Sequence, residues 1–349
     1  MSKTGIVRDN RCLKHLPGEG HPESHKRLEA VYTVLDKPEL QSLTTAVKTR
    51  KAIRDELLEI HTPEYIDKLA DTAQRSHCAL TPDTLTCADS YEAALLAAGG
   101  LMQAITMVEA GELTNAFALM RPPGHHAERS RAMGFCLFNN VALGASFARK
   151  ALGMRRVLIV DWDVHHGNGV QHAFERDASV LFISVHQNLR FPGTGFFTEI
   201  GAGRGEGFTL NIPLPGRYGD AEYAALFNRL IRPVALEFEP ELILVSAGFD
   251  THIKDPMGGM RMTPQGFKGL TRILMEIAAL CCNGRLVLSL EGGYHLEALK
   301  ASVTAVLQEL TETTVCNVSE LAEQADLKKV NFALKRAFHV HRHYWKNLK

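Results

Sequence analysis

The chain has 349 residues, 45% of them hydrophobic and 22% charged, the composition of a globular domain with a large core. Lys and Arg number 39, as do Asp and Glu, so the formal net charge is zero. That balance gives no reason to expect nucleic acid or a membrane as a partner. Seven cysteines, an odd count with no Cys-x-x-Cys spacing, point to a reducing compartment. The start, residues 1–9, lacks a signal peptide's apolar core. No run approaches the ~18 apolar residues of a membrane span. A cytoplasmic protein is expected, and an oligomer is compatible with it.

In chain order, residues 4–8 read as a short strand and 15–25 as a loop rich in His, Gly and Pro. Residues 23–35 have helical spacing, with Leu28, Val31, Tyr32 and Leu35 on one face. Thr62-Pro63-Glu64 is a helix start, a capping hydroxyl followed by Pro in the first turn. Residues 89–108 make a longer helix. From residue 115, apolar runs at 116–120, 157–160, 180–185, 242–246 and 286–290 mark strands. Helical patterns at 137–151, 221–238, 264–282 and 296–310 lie among them. This alternation predicts an α/β fold, a single domain with a mainly parallel central sheet and helices on both faces.

Ligands in such sheets sit beyond the carboxyl ends of the strands. Here each run ends in polar, Gly-rich chemistry. After Met120 comes Arg121-Pro122-Pro123-Gly124-His125-His126. After Val160 comes Asp161-Trp162-Asp163-Val164-His165-His166-Gly167-Asn168-Gly169. Val185 leads to His186, Ser246 to Ala247-Gly248-Phe249-Asp250, and Leu290 to Glu291-Gly292-Gly293-Tyr294. One inert turn of this kind is ordinary, but five converging on one edge are not.

If the strand continues past Val160, then Asp161, Asp163 and His165 share one face. Carboxylate and imidazole together suit a divalent metal such as zinc. A calcium loop does not fit, because Gly167 falls one place late and His172 stands where its bidentate Glu belongs. A catalytic zinc takes three protein ligands, and Asp250 is the best remaining acid. The tandem His125 and His126 can supply a general base and an electrostatic partner. Asp161 can hold one of these imidazoles from behind, and Asn168 the other. Tyr294 can donate to a carbonyl oxygen as it becomes an oxyanion, with Gly292 and Gly293 giving it freedom to swing inward. Phe135 and Phe191 are equally readable as core or as walls of an apolar channel. Metal, water, imidazole and phenol together make a metal-assisted hydrolase of a carbonyl compound.

These motifs, with His21-Pro22-Glu23 and Gly134-Phe135-Cys136, resemble the histone deacetylase family of the arginase/deacetylase fold over about residues 5–311. The forms around His126 and Asp163 are similar to class II members and their bacterial relatives. The resemblance implies Asp163, His165 and Asp250 as ligands of Zn2+, with Fe2+ also suited to such a site. It implies His126 as general base and acid, His125 as electrostatic partner and Tyr294 as oxyanion donor. The substrate would be an acyl-lysine, above all acetyl-lysine, in a protein or peptide. Phe135, Phe191 and Gly134 would line the acyl-lysine tunnel, Met257 would be its gatekeeper and Asp83 its rim acid. Arg27 would be the family's internal-cavity arginine. Two structural K+ sites would follow. The inner one takes Asp161, the backbone of Asp163 and His165, and Ser184 with Val185; the outer one takes backbone near Phe174, Asp177, Val180 and Phe208.

Three departures bear on substrate and competence. Asn168 stands where class I members carry Asp. Tyr294 stands where a nearly inactive subclass carries His. Met257 stands where a polyamine-selective member carries Glu, which favours acyl-lysine over a small acylated amine such as acetylpolyamine. A di-manganese ureohydrolase of the same fold would need acids where Gly167 and His252 stand. A binding protein without turnover would have no use for Tyr294 and both histidines. Beyond residue 311 the resemblance fades. A 1–311 catalytic domain is expected to carry a basic helical extension, 312–349, packed on it, with Val330, Leu334, Phe338 and Tyr344 near helical spacing.

Overall fold

The computed structural model describes residues 3–348; Met1, Ser2 and Lys349, at the ends of the two expected segments, lie outside the described residues. Its strands are β1 (Thr4–Val7), β2 (Thr44–Val47), β3 (Cys78–Thr81), β4 (Thr84–Thr86), β5 (Asn115–Ala118), β6 (Val157–Asp161), β7 (Val180–Gln187), β8 (Thr209–Leu214), β9 (Leu242–Ala247) and β10 (Leu286–Leu290). β3 and β4 form an antiparallel hairpin. The others make one sheet in the order β2-β1-β5-β10-β9-β6-β7-β8, with every neighbouring pair parallel. β6 and β9 are buried along their whole length and apolar up to Asp161 and Ser246 near their carboxyl ends, as central strands covered on both faces must be.

The order of connections creates the site. From β6 the chain runs outward through β7 to β8, then returns to β9 beside β6 and continues to β10. Parallel crossovers are right-handed. The reversal therefore places helix Asn140–Lys150, between β5 and β6, on the opposite face from helix Pro264–Cys281, between β9 and β10. A crevice opens where the direction changes, at the carboxyl ends of β6 and β9.

Several elements differ from the sequence pattern. The expected helix 221–238 is split into Asp220–Leu226 and Arg232–Phe238 by a π turn at Phe227–Ile231. Arg232 N reaches back to Phe227 O, and Pro233 has no N–H to offer next, so a wider turn is accommodated there. The pattern does not mark β2, β8 or the hairpin. β8 contains Pro213, which it tolerates as an edge strand. Helix Ser90–Glu109 is apolar and long enough to cross a membrane by composition, but 67% of that window is buried in the fold. An all-round apolar helix of this kind is a core helix.

Helix Leu327–His341 begins at Asp326, whose side chain accepts from Lys328 N at 2.9 Å. It lies against β8 and helix Asp220–Leu226. Just beyond it, Trp345 Nε1 donates to Gly207 O at 3.0 Å. An otherwise open sheet edge is thereby covered.

Candidate active site

β6 stops at Asp161, so a strand pleat does not align Asp163 and His165 as expected. Side-chain-to-backbone turns do so instead. Asp161 Oδ1 accepts from Asp163 N at 3.0 Å, and Asp163 Oδ1 accepts from His165 N at 2.8 Å. Asp250 follows β9, and its Oδ1 accepts from Val164 N at 2.8 Å, which stitches the two loops together. His165 Nδ1 then lies 3.0 Å from Asp163 Oδ1 and 3.2 Å from Asp250 Oδ2. Ligands on a tetrahedral shell of ~2.1 Å stand about 3.4 Å apart, so these donors are spaced for one ion.

Asp250 Oδ2 is buried without a well-aligned hydrogen bond. Burial, and then the Asp163 charge beside it, push the Asp250 carboxyl upward. A cation would remove that cost, and the donor set fits zinc or ferrous iron. Gly292 N donates to Asp163 Oδ2 at 2.9 Å. A Cβ on Gly292 would sit 2.2 Å from Asp250 Oδ2. Close approach to the carboxylates, rather than freedom for Tyr294, is what requires glycine there.

His125 and His126 follow β5, with ring centroids 3.9 Å apart. His125 Nδ1 lies 2.9 Å from Asp161 Oδ2, and His126 Nδ1 lies 2.7 Å from Asn168 Oδ1. Burial disfavours charge on both rings. For His125, the Asp161 and Asp163 carboxylates overcome burial and raise the pKa to about 10. For His126, burial and the neighbouring His125 and His165 hold it well below the ordinary value. One ring is cationic at neutral pH and the other neutral, a split that separates acid–base roles.

A cavity of about 230 Å³ opens over this cluster, lined by Asp83, His126, Gly134, Phe135, His165, Phe191, Met257 and Tyr294. The Phe191 ring meets His126 edge-on at 5.0 Å, and Phe135 meets Tyr294 at 5.9 Å. Both phenylalanines are therefore walls. Asp83, in the β3–β4 turn, accepts from Gly134 N at 3.1 Å and so braces the wall itself. Burial holds the Tyr294 phenol well above its usual pKa, so it keeps its proton. Arg27 stands 5.0 Å from the Tyr294 ring, and its Nε donates to Gly293 O at 2.6 Å. A larger groove, about 730 Å³, runs along the terminal helix, but its lining of Phe197, Phe332, Arg336 and their neighbours holds no carboxylate.

The two expected cation sets are each contiguous. Ser184 lies opposite Asp161 in the β6–β7 register, with Val185 next to it. Phe174, Asp177 and Val180 gather in the turn before β7, where Asp177 N donates to Phe174 O at 2.9 Å and Val180 N to Asp177 O at 3.3 Å. Phe208 O joins them by accepting from Phe182 N at 2.9 Å.

Three carboxylates at the site escape the sequence reading. Glu291 Oε2 accepts from Gly124 N at 2.7 Å and His125 N at 3.2 Å, fixing the histidine loop. Asp255 Oδ2 accepts from Tyr294 N at 2.6 Å, and its Oδ1 from Met257 N at 3.0 Å, clipping those two loops together. Glu23 is buried between Arg27 at 3.0 Å and Arg121 at 2.6 Å. Each stands inside or beside a motif quoted above, which is the signal that could have found it.

The family pattern described as the histone deacetylase domain matches residues 21–310. The chain belongs to the histone deacetylase family. That family is one of hydrolases acting on acetylated amides. Histone deacetylase 5 of Arabidopsis thaliana is 41% identical over 328 residues, which are 89% of this chain and 49% of that protein. Polyamine deacetylase HDAC10 of Homo sapiens is 41% identical over 306 residues, 82% of this chain and 44% of that protein. The chain thus spans about half the length of these relatives. The crystal structure of the HDA15 HD domain matches with a TM-score of 0.90 at 37% identity, covering 99% of this chain and 96% of that one. That likeness takes in the helix Leu327–His341, beyond the end of the family pattern.

Gly134 and Phe135 both adopt positive φ, 57° and 69°, and a Cβ on Gly134 would lie 2.3 Å from the His126 ring. Gly134→Ala should leave the chain folded but displace His126. Turnover of an acetyl-lysine peptide should fall by roughly 100-fold, the scale of a ~1 Å misplacement. Wild-type kcat in a folded variant would show that the wall is not packed against His126.

Proposed function

We propose that this chain hydrolyses the amide of N-acetyl-lysine, or another N-acyl-lysine, in proteins or peptides. One observation carries the reading: a single cavity is lined by a neutral imidazole, a protonated phenol and His165, the middle member of a closely spaced Asp/His/Asp donor set. Asp163, His165 and Asp250 would hold Zn2+, with Fe2+ as the alternative, and the ion would supply Lewis acidity toward the carbonyl and toward water.

The remaining chemistry belongs to the chain. His126 Nδ1 is engaged by Asn168, which leaves Nε2 to take a proton from the attacking water as the water oxygen bonds the carbonyl carbon. Nε2 returns that proton to the amine nitrogen as the C–N bond breaks, giving a carboxylic acid and an amine; water's second proton then passes from the acid to the amine, and they leave as carboxylate and ammonium. Tyr294 donates to the carbonyl oxygen as negative charge builds there. His125, held cationic by Asp161, stabilises that charge from the side. Phe135 and Phe191 match the aliphatic stem of lysine and keep water out. K+ ions in the two contiguous backbone sets would steady the loops from behind. The seven free cysteines support the cytoplasmic setting expected for the protein.

Met257 lines the cavity with an uncharged thioether, and the one carboxylate in that lining, Asp83, already accepts from Gly134 N, Thr81 and Thr84, which disfavours a cationic polyamine. The likeness to a polyamine deacetylase supports acetylpolyamine as the second reading. Purified enzyme should turn over acetyl-lysine peptides with a higher kcat/KM than acetylspermidine. Turnover of the polyamine alone would overturn the choice of substrate. For the mechanism, Tyr294→Phe should keep substrate binding but lower kcat by roughly 100- to 1,000-fold, the scale of one oxyanion donor. An unchanged kcat would remove Tyr294 from the mechanism.

A further inference from the structure

We infer that Glu128 is a positioning residue for the general base. It sets which way round the Asn168 amide stands, and through it which nitrogen of His126 is free to take a proton. The inference rests on the reading of His126 as the base.

Glu128 is two residues beyond His126, and its main chain is pinned. Asn139 N donates to His61 Nε2 at 3.0 Å, so His61 must carry its hydrogen on Nδ1, from which it donates to Glu128 O at 3.0 Å. The carboxylate is mostly buried, with 19% of its side chain exposed. Its Oε1 accepts from Asn168 Nδ2 at 2.5 Å. His172 Nδ1, on the half-exposed outer side, lies 2.9 Å from Oε1 and 3.0 Å from Oε2.

An amide has an acceptor on one side and donors on the other, and shape alone does not say which faces where. Asn168 has the His126 ring on one side and the Glu128 carboxylate on the other. Turned over, its oxygen would face a carboxylate oxygen across 2.5 Å, two acceptors with no hydrogen between them. Glu128 stays ionised, because His172 and Asn168 outweigh burial and hold it below its ordinary pKa. The NH2 group therefore faces Glu128 and the amide oxygen faces His126. His126 O accepts from the same NH2 at 3.3 Å, a weaker vote for the same orientation. An amide oxygen only accepts, so His126 Nδ1 must bear the hydrogen and Nε2 must carry the lone pair.

The arrangement also accounts for the difference between the paired histidines. Asp161 touches His125 directly, and that ring is cationic. Glu128 acts on His126 through a neutral amide. It orients the ring without placing a charge against it, so the ring stays a free base.

The test uses metal-loaded full-length enzyme, with kcat and KM measured on an acetyl-lysine peptide at each variant's optimum pH. Glu128→Ala should lower kcat roughly 10- to 100-fold, the usual effect of losing a partner behind a catalytic group, with KM little changed. The deciding variant adds Asn168→Asp to Glu128→Ala. Aspartate presents an oxygen to Nδ1 whichever way it turns. Its charge also raises the ring's pKa, as Asp161 does for His125, so the profile should move to higher pH, and at that optimum kcat should recover several-fold over Glu128→Ala alone. Wild-type kcat in Glu128→Ala overturns the inference. A double variant no faster than Glu128→Ala also overturns it, since a residue that only supports its loop is not rescued by changing Asn168. His126→Ala is the control for the underlying reading: wild-type turnover there would show that the base is misassigned, whatever Glu128 does. Should Glu128→Ala fail to fold, Glu128→Leu, which keeps the bulk but offers Asn168 no polar atom, takes its place in both arms.

Discussion

Two carboxylates, Asp163 and Asp250, are buried side by side, Asp250 Oδ2 has no well-aligned hydrogen bond, and among the described residues the side chains paired with these acids are histidines. Burying like charges together is costly unless a cation joins them. Much of the structure can be understood as holding this arrangement. The reversal of strand order at β6 and β9 opens the crevice. The Asp161–Asp163–His165 turns carry Asp163 and His165 past the end of β6, and the Val164–Asp250 hydrogen bond locks Asp250 to them. Gly292 brings a backbone N–H close because it has no side chain to collide.

Around that centre, charge is graded by distance. His125 meets a carboxylate directly and is cationic, whereas His126 meets an amide and is neutral. The carboxylates further out, Glu291 on the histidine loop and Asp255 between the Tyr294 and Met257 loops, accept backbone N–H groups. They therefore set positions, and Glu291 also adds to the raised pKa of His125. Buried Glu23, between Arg27 and Arg121, anchors the underside of the Tyr294 loop through the Arg27–Gly293 hydrogen bond.

The parallel sheet was legible because its central strands are fully buried and hence uninterruptedly apolar, as in Val157-Leu158-Ile159-Val160. Edge strands carry weaker signals, and β8, with Pro213 inside it, goes unmarked by the pattern. The grouping of Asp163, His165 and Asp250 was legible because strand-end placement and residue type agree. Their alignment was not, since the pleat ends at Asp161 and the hydrogen bonds that replace it depend on turn geometry. Glu128, Asp255, Glu291 and Glu23 were illegible as functional groups for a different reason. Their partners are mostly distant in sequence, 167 residues apart for Glu291 and Gly124, and periodicity carries no information about such pairings. The basic terminal segment reads as helical from its spacing, and the structure shows that helix against β8.

The central claim is that the loops after β6 and β9 form one mononuclear divalent-metal centre. Metal content per chain, measured by mass spectrometry on folded wild-type protein and on Asp250→Ala after equal loading and desalting, tests it most directly. The account predicts close to one zinc or ferrous ion per wild-type chain and little retained in the variant. Equal metal content in the two proteins, or close to two ions per wild-type chain, would contradict it.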